Sequence, residues 1–587
     1  MTSALIMGAN CAFADDFESF DDFASFGDDT SSGAATALEV NGSIDSEIRA
    51  YVDVDEAKAE NVEMDASPSA AIDMKYSGTK SDMELSLKVD ADTIKNHPED
   101  VIDEAVLRGY FGNLSLEAGK MKVVWGKGDK LHVLDNFNAD DYSDFIIPDY
   151  LDRRISTPMV RAVYSLPFAN MNIEGVYTPL LPVDRFATEG RWTPAQVAAL
   201  TGTVTNSTVT YVKKLVTDCE AARAGLAAAT TIAKTSQAQA AAATAAATEY
   251  GNKITEYTNA IVQAKTTLAT MGDSLTAEQK NQLNTQIEQA TIAIVHCTAE
   301  KTAQTEAAAQ YTAAATSAAA QAADYQAKLV AADTAYTLAL NNVSSVANNI
   351  YPDLWNLKYS QFGARTTWTL GQVDMGLSYY NGWYKQPSFN DDKLNSFLTS
   401  YLADGEVSED EKFLAYDKKQ TFGLEMSSII WHFNVRGEFA YNLTDDMDGS
   451  DPWVHNNSIA WLGGFDIDLP FWNANLNVQE TGSFILNGDE CDKNTMDVDY
   501  NKKGYSNNKL VANVTTSFLN DKVVPEVTVM YGIERGDLVV MPKLAFKPDQ
   551  NLTLTASGMY IHCADEDSEF YSWRENSFVS VGAKYQF

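Results

Sequence analysis

Charged side chains at every second position of apolar segments are the first candidates for chemistry in this 587-residue sequence. They are Arg49, Arg108, Arg161, Arg365, Arg436, Glu47 and Glu84, with Asp45, Lys88 and Glu438 at equivalent positions. If one parity of each segment faces an apolar environment, these side chains face the opposite one. Opposed basic and acidic rings would create a transverse field that filters polar solutes by charge. The alternative is a solvated set of charges that pair with one another.

Catalytic and metal-binding patterns are the second kind of chemistry to consider. The histidines are His97, His132, His296, His432, His455 and His562. None lies in a His/Cys/Asp/Glu cluster with metal-ligand spacing, and no P-loop, G-x-S-x-G or H-E-x-x-H pattern occurs. The aspartates between 445 and 451 lack the distal Glu of an EF-hand, and Arg535-Gly536-Asp537 is interpreted as a chance match to the integrin tripeptide. We predict no enzyme, no metal site and no cofactor.

Alternation of apolar and polar residues indicates the elements that carry these charges. From Leu38 to Val52 one parity is apolar and the other polar, and the pattern returns in segments such as 362–370, 435–441 and 579–587. Period two over such lengths predicts long strands with one apolar face. Short turns alternate with much longer polar loops, which is typical of a transmembrane barrel. We predict an all-β transmembrane antiparallel β-barrel of about 16–18 strands.

Both ends of the sequence carry targeting signals. The pattern from Val579 to Phe587 ends on an aromatic residue and resembles the assembly signal of Gram-negative outer-membrane β-barrels. The resemblance implies an outer-membrane location and recognition of Phe587 by the assembly machinery. Residues 1–14 are predicted to be a signal peptide, truncated because a basic n-region is missing. The acidic, Phe-rich residues 15–36 are interpreted as a solvated periplasmic segment; docking of a partner or plugging of a pore is the alternative.

The segment from Leu116 to Asp152 resembles the first long loop of porin-like outer-membrane proteins. A strand is followed by Trp125-Gly126-Lys127-Gly128-Asp129 and then by a long loop rich in Asp, Asn and Tyr. In porins such a loop folds inward and narrows the lumen. The resemblance implies the following constriction residues: Trp125, Lys127, Asp129, Lys130, Asp135, Asp140 and Asp141. An ordinary surface loop is the alternative.

Residues 192–349 form an Ala- and Thr-rich insertion between the two predicted parts of the barrel, 37–191 and 350–587. Ala has the highest helix propensity, so the insertion is predicted to be helical. The interruption at 271–276 predicts an antiparallel coiled-coil hairpin whose arms reach ~100 Å. An odd number of strands is predicted before the insertion, which would place the hairpin outside if the first strand starts in the periplasm.

Four cysteines remain after the predicted signal cleavage. Cys219 and Cys297 lie at different distances from the tip of the hairpin, so a disulfide between them is excluded. Cys491 and Cys563 both fall in or beside predicted external loops. A disulfide between that second pair is left open.

These expectations combine into an outer-membrane porin-like channel for diffusion or uptake of small polar solutes. The expected partners are the outer-membrane bilayer, the assembly machinery and the solutes, and a homo-oligomer is left open. Acidic residues outnumber basic ones 81 to 43, which argues against a nucleic-acid partner. The competing hypothesis is a surface adhesin or structural protein that uses the barrel as an anchor and the hairpin as a contact device. A third hypothesis places the hairpin in the periplasm, as in export ducts.

Overall fold

The computed structural model describes residues 37–52, 63–129, 131–148, 150–490, 495–499, 502 and 504–587. The predicted signal peptide, the acidic segment 15–36, Lys130 and Cys491 lie outside these residues. The disulfide between Cys491 and Cys563 therefore stays a prediction.

Eighteen antiparallel strands form one closed sheet. They are β1 Ala37–Tyr51, β2 Glu63–Ser77, β3 Ser81–Asp90, β4 Ile102–Phe111, β5 Leu114–Met121, β6 Thr157–Leu166, β7 Met171–Thr178, β8 Gln361–Leu370, β9 Val373–Trp383, β10 Lys418–Ile430, β11 Phe433–Leu443, β12 Ser458–Asp468, β13 Asn475–Ile485, β14 Ser506–Thr515, β15 Val523–Gly532, β16 Leu538–Phe546, β17 Leu552–His562 and β18 Phe578–Gln586. Strand β18 pairs with β1, and Phe587 extends this seam through backbone bonds of 2.8 and 2.9 Å with Gly42. The predicted closed antiparallel barrel is confirmed.

The apolar residues, which occupy every second position of each strand, face outward from the barrel. On β1 and β18, Val40, Ile44, Val579 and Val581 are between 55% and 60% exposed, whereas Arg49 on the opposite parity is only 6% exposed. Lipid tolerates exposed apolar side chains but requires that every backbone polar group be paired, which a closed sheet achieves. The fold is therefore a transmembrane barrel.

Connections of two kinds alternate around the barrel. The short turns are 78–80, 112–113, 167–170, 371–372, 431–432, 469–474, 516–522 and 547–551, and they define the short-turn rim. Gly112 and Gly371 begin two-residue turns at φ of 66° and 65°, values that favour glycine and suit a tight hairpin. The longer connections, including 122–156 and 384–417, define the long-loop rim, where the chain leaves the barrel after β7.

Helices make up a second compact unit, residues 205–347 with 395–407. Helix α3 covers Ala195–Met271 and helix α4 covers Ala277–Asn342, with lengths of 77 and 66 residues. The shorter helices are α1 Ala91–Lys95, α2 Tyr150–Arg153, α5 Val346–Asn349 and α6 Asp391–Asp404. None of the helices described combines the length and apolar character needed to cross a bilayer. The predicted long helical insertion is confirmed.

The interruption between the two long helices is a capped turn. The Thr276 hydroxyl accepts the backbone N–H of Gln279 at 3.2 Å, and the Gln279 side chain accepts that of Thr276 at 2.9 Å. This reciprocal pair satisfies two donors that a helix start leaves unpaired. Cys219 and Cys297 are both buried and both free, as predicted.

Between Val204 and Ala247 the buried positions on α3 recur at intervals of three, four or seven residues. The small residues Ala222, Ala229, Ala243, Ala247 and Ala264 are each 3–8% exposed. Such spacing keeps one narrow stripe of the helix facing its neighbour. Because these side chains are small, each contributes little buried area.

Candidate functional site

The loop between β5 and β6, residues 122–156, folds into the barrel and is called the inward loop here. Its Asp144 accepts two bonds of 2.7 Å from Arg49 on β1, and its Asp129 accepts one of 2.6 Å from Asn477 on β13. Arg49 and Asn477 lie on the inner face of well-separated strands of the closed sheet. The inward loop therefore crosses the lumen.

Glu438 on β11 anchors one end of the inward loop. Its carboxylate accepts the backbone N–H groups of Lys127 and Gly128 at 2.7 Å each and that of Val133 at 2.8 Å. The His132 Nδ1 atom lies 3.1 Å from the same carboxylate, whose side chain is 0% exposed. Several backbone donors converging on one carboxylate form a strong charge-assisted anchor.

The glycines of the W-G-x-G element allow this close approach. Gly126 has a φ of 120°, and a Cβ there would lie 2.2 Å from the Glu438 carboxylate. A Cβ on Gly128 would lie 1.8 Å from the carbonyl oxygen of Leu131. Any larger residue at either position would push the loop off its anchor.

Trp125 and Asp129 hold the same end of the loop through their side chains. The Trp125 indole, 1% exposed, donates to Glu174 on β7 at 3.1 Å. Asp129 also pairs with Arg436 on β11. Lys127 contributes through its backbone, and Lys130 lies outside the described residues.

The remaining predicted loop residues lie in an acidic and basic network. Asp135 accepts bonds from Tyr150 and Arg154, and the Arg154 guanidinium is 3.6 Å from Asp140. Burial raises the pKa of Asp135, and the Arg154 charge opposes that shift. Asp141 is 3.7 Å from Arg185.

Asp184, after β7, is a second anchor for this network. Its carboxylate accepts the backbone N–H of Asp140 at 3.0 Å and the side-chain amide of Gln386 at 3.2 Å. Burial, together with the charge of Asp140, raises the pKa of Asp184 to about 6. The middle of the inward loop is thus tied to the segments that follow β7 and β9.

Charges of alternating sign line five neighbouring strands of the inner wall. Arg108 on β4 is 2.8 Å from Glu84 on β3 and 3.8 Å from Glu117 on β5. Arg161 on β6 is 3.3 Å from Glu117 and 2.7 Å from Glu174 on β7. Each interior arginine therefore lies between two carboxylates.

The same alternation continues beyond β7. Arg365 on β8 is 3.7 Å from Glu174 and 2.5 Å from Glu425 on β10. It reaches past β9 because that strand presents Gly376, where a Cβ would lie 2.5 Å from the Glu425 carboxylate. The seven alternating charges on β3 to β10 are called the ion-pair ladder: Glu84, Arg108, Glu117, Arg161, Glu174, Arg365 and Glu425.

The other two predicted wall arginines pair locally and with the loop. Arg49 donates to Glu47 on its own strand at 3.0 Å as well as to Asp144. Arg436 donates to Asp466 on β12 at 2.5 Å as well as to Asp129. On these strands acids and bases thus lie within pairing distance of one another. Such a set of paired charges is the alternative to opposed charged rings that the sequence leaves open.

Part of the inner wall is apolar. Val511, Met530, Val539 and Ile561 on β14 to β17 are at most 3% exposed and belong to one cluster with the loop residue Phe145. The Phe145 ring also lies 4.5 Å from Trp573 and 5.1 Å from Trp192. Aromatic packing of Phe145 therefore adds to the ion pair of the neighbouring Asp144 with Arg49.

His455 joins its own loop to two other loops of the long-loop rim. Its backbone N–H donates to Asp417 at 2.9 Å, its Nδ1 is 2.9 Å from Asp497, and its ring stacks on Tyr384 at 4.0 Å. Burial by itself lowers the pKa of His455, but the Asp497 and Asp417 carboxylates outweigh it, so the pKa is raised. The contact joins the connections that follow β9, β11 and β13.

Three other sequence features have structural roles. Asp537 of the Arg-Gly-Asp tripeptide is 3% exposed and accepts the backbone N–H groups of Glu569 and Phe570 at 3.1 and 2.9 Å. Asp446 accepts two backbone N–H groups within its own loop, at 3.1 Å each. His97, Glu99 and Asp100 come together in the folded chain. Asp100, however, already pairs with Lys120 at 2.9 Å.

Several functional candidates were missed at the level of the sequence. They are Glu117, Glu174, Glu425 and Asp144. Parity could have found Glu174, because it lies between the apolar Ile173 and Gly175. No local pattern marks Asp144 as the partner of Arg49, because the two residues are 95 positions apart.

Fold and site together define the class: a closed transmembrane β-barrel of the outer-membrane type, with a loop folded across its lumen. No protein-family model and no curated protein matches the chain. Among solved structures it is similar to OccAB3 of Acinetobacter baumannii, at 8% identity and a TM-score of 0.37 over 94% of this chain and 99% of that one. It is also similar to a BenF-like porin from Pseudomonas fluorescens Pf-5, at 8% identity and 0.37 over 94% and 98%. The outer membrane protein opdK from Pseudomonas aeruginosa gives 7% identity and 0.37 over 94% and 98%.

Proposed function

We propose that the protein is an outer-membrane porin-like channel for diffusion or uptake of small polar solutes. The observation that carries the proposal is the inward loop, which is anchored to Arg49 on β1 and to Glu438 on β11. A loop held at both sides of a lumen narrows the passage without depending on a moving part. We expect the constriction to lie between this loop and the exposed part of the inner-wall charges, at Arg108 and Arg161.

The ion-pair ladder determines which solutes pass through the channel. Its charges are fixed on strands and paired with neighbours, so they offer hydrogen-bond donors and acceptors while their long-range fields largely cancel. Arg108 and Arg161 keep 19% and 22% of their side chains exposed. Small polar solutes exchange part of their hydration for contacts with these groups, which favours polar over apolar solutes.

Charge reversal of two ladder arginines tests the proposal. The Arg108→Glu, Arg161→Glu double variant is expected to shift the reversal potential of the purified channel in planar bilayers towards cation selectivity. The matched control is Glu84→Gln with Arg108→Gln, which removes one ion pair of 2.8 Å without changing net charge. Unaltered ion selectivity in the double-Glu variant, with the barrel still folded, would contradict the assignment of the ladder to the pore.

Outer-membrane insertion through the final strand belongs to the same proposal. Phe587 pairs with β1 through its backbone, and its ring lies on Gly42, where a Cβ would be 2.5 Å away. Replacing Phe587 with Ala is expected to lower the amount of barrel in the outer-membrane fraction. Equal amounts of wild type and variant would argue against recognition of this residue by the assembly machinery.

We also propose that the helical hairpin projects from the extracellular face. Support comes from the chain path, since the insertion follows β7 at the long-loop rim and long loops of such barrels are extracellular. Protease added to intact cells is expected to cut within residues 205–347. Protection in intact cells, with cleavage after permeabilisation, would favour the periplasmic hypothesis.

A barrel-anchored adhesin is the alternative function. The observation that favours it is that the helical insertion forms a compact unit of its own, so it can serve as a contact device separate from the pore. Deleting 195–348 separates the two functions. Loss of binding to surfaces with solute flux intact would support the adhesin, whereas loss of flux with binding intact would support a role in the channel.

A further inference from the structure

Glu480 is an acidic side chain on the outward face of the barrel. It lies in the middle of β13, Asn475–Ile485, on the same parity as Val478, and it pairs in register with Gly463 of β12 and Leu510 of β14. At the other outward positions of the described strands, Asp, Glu, Lys, Arg and His occur only near strand ends, as at Lys120 and His562. Its position is therefore exceptional for a surface that faces lipid.

A recess in the outer wall lies directly beside Glu480. The register row that contains Glu480 continues through Gly463 to Gly437 on β11. A Cβ on Gly463 would have no atom within 4 Å, so the wall is open there. The side chains beside this recess are Phe439 and Val435, which are 42% and 37% exposed.

One hydrogen-bond donor already reaches Glu480. The Trp461 indole N–H lies 3.2 Å from its carboxylate, and the indole ring covers Gly482, where a Cβ would be 2.5 Å from the ring. A carboxyl group has several hydrogen-bonding positions, and one indole N–H satisfies a single position. Hydrocarbon offers no partner for the remaining hydrogen-bonding positions. In an isolated barrel the Glu480 carboxyl group therefore carries a free-energy cost.

We propose that this patch is the contact between two copies of the chain, related by a two-fold axis along the membrane normal. A carboxyl group in an apolar medium is held in its neutral form, which both donates and accepts a hydrogen bond. Two Glu480 side chains that meet at the axis therefore satisfy each other. Gly437 and Gly463 carry no side chain in the same register row, so two walls can approach closely enough for the two Glu480 side chains to meet.

Filling the recess tests the proposal with a matched control. Gly463→Trp places a large ring in the recess, whereas Gly175→Trp places the same ring on β7, at an outward position that is equally open. Native mass spectrometry of the full-length protein in mild detergent and in nanodiscs is expected to show a dimer for wild type and Gly175→Trp. Gly463→Trp is expected to be monomeric, with the dimer dissociation constant raised at least tenfold.

Substitutions of Glu480 test the chemistry of the contact without adding bulk. Glu480→Gln keeps a donor and an acceptor and is expected to stay dimeric, whereas Glu480→Leu removes both and is expected to dissociate. Heat-dependent migration on denaturing gels checks that every variant is a folded barrel. A monomeric wild type, a larger ring, a second protein in the complex, or a dimer that persists in both Gly463→Trp and Glu480→Leu would overturn the proposal.

Discussion

Replacing Glu438 with Ala is expected to release the inward loop from the wall. The carboxylate is the shared acceptor for the backbone N–H groups of Lys127, Gly128 and Val133. In the variant these donors either stay buried without a partner or leave the wall and become hydrated. The second outcome is favoured because an unpaired buried donor costs more than a hydrated one.

The expected magnitude follows from the number of bonds. A hydrogen bond to a charged group contributes roughly 1.5–3 kcal/mol net, so three such bonds represent roughly 5–9 kcal/mol if they add. Neighbouring contributions do not add fully, and the aromatic contacts of Phe145 at the other end of the loop are unchanged. We expect a loss of about 4 kcal/mol of docking free energy, which is a ~10³-fold change in the ratio of docked to released loop.

Single-channel recording in planar bilayers measures the result. The Glu438→Ala channel is expected to show a larger conductance, and proteolysis is expected to produce new cuts near residues 127–135. Glu84→Ala is the matched control, because Glu84 is also an acid of the inner wall but pairs with Arg108 rather than with the loop. Unchanged conductance together with an unchanged cleavage pattern in Glu438→Ala would refute the anchoring role.

Two further predictions concern the loop and the rim. Gly126→Ala places a Cβ 2.2 Å from the Glu438 carboxylate and is expected to raise conductance as Glu438→Ala does, whereas Gly202→Ala, where a Cβ meets no atom within 4 Å, is not. His455 has a raised pKa, so its protonated form stabilises the fold fully below its ordinary value of 6.5 and this contribution is lost as the pH rises through the raised value. The melting temperature of wild type is therefore expected to fall, as the pH rises above 6.5, by more than that of His455→Gln; equal falls would exclude His455 as the cause.

Local patterns were sufficient for the elements of the barrel. The alternation from Leu38 to Val52 predicts β1, and the structure has this strand at Ala37–Tyr51. Alternation is readable because the two faces of a strand meet different solvents, and a charge on the lipid side costs ~2–4 kcal/mol at the midplane. The interruption at 271–276 was readable for a similar reason, since helix ends need local capping residues such as Thr276.

The ion-pair partners of the inner-wall arginines could not be predicted from such local patterns. The sequence places Arg161 and Arg365 on the inward parity. It does not predict that both guanidinium groups lie beside the Glu174 carboxylate, at 2.7 and 3.7 Å. That arrangement depends on the register between β6, β7 and β8 and on the order of strands in the sheet. Register is a property of two strands together, and a single strand's alternation does not fix it beyond its parity.

The sequence by itself determined which parity of the predicted strands faces lipid, where the two long helices lie and where they are interrupted, and which loop is long enough to enter the lumen. Only the tertiary structure decided that Asp144 reaches Arg49, that Glu438 gathers three backbone donors, and that Glu480 lies beside an open recess. The physical reason is the sequence separation over which each kind of interaction acts. Alternation and capping act between residues a few positions apart, whereas ion pairs and loop anchors join residues as far apart as Asp129 and Asn477, which are separated by 348 positions and become neighbours only when the sheet closes.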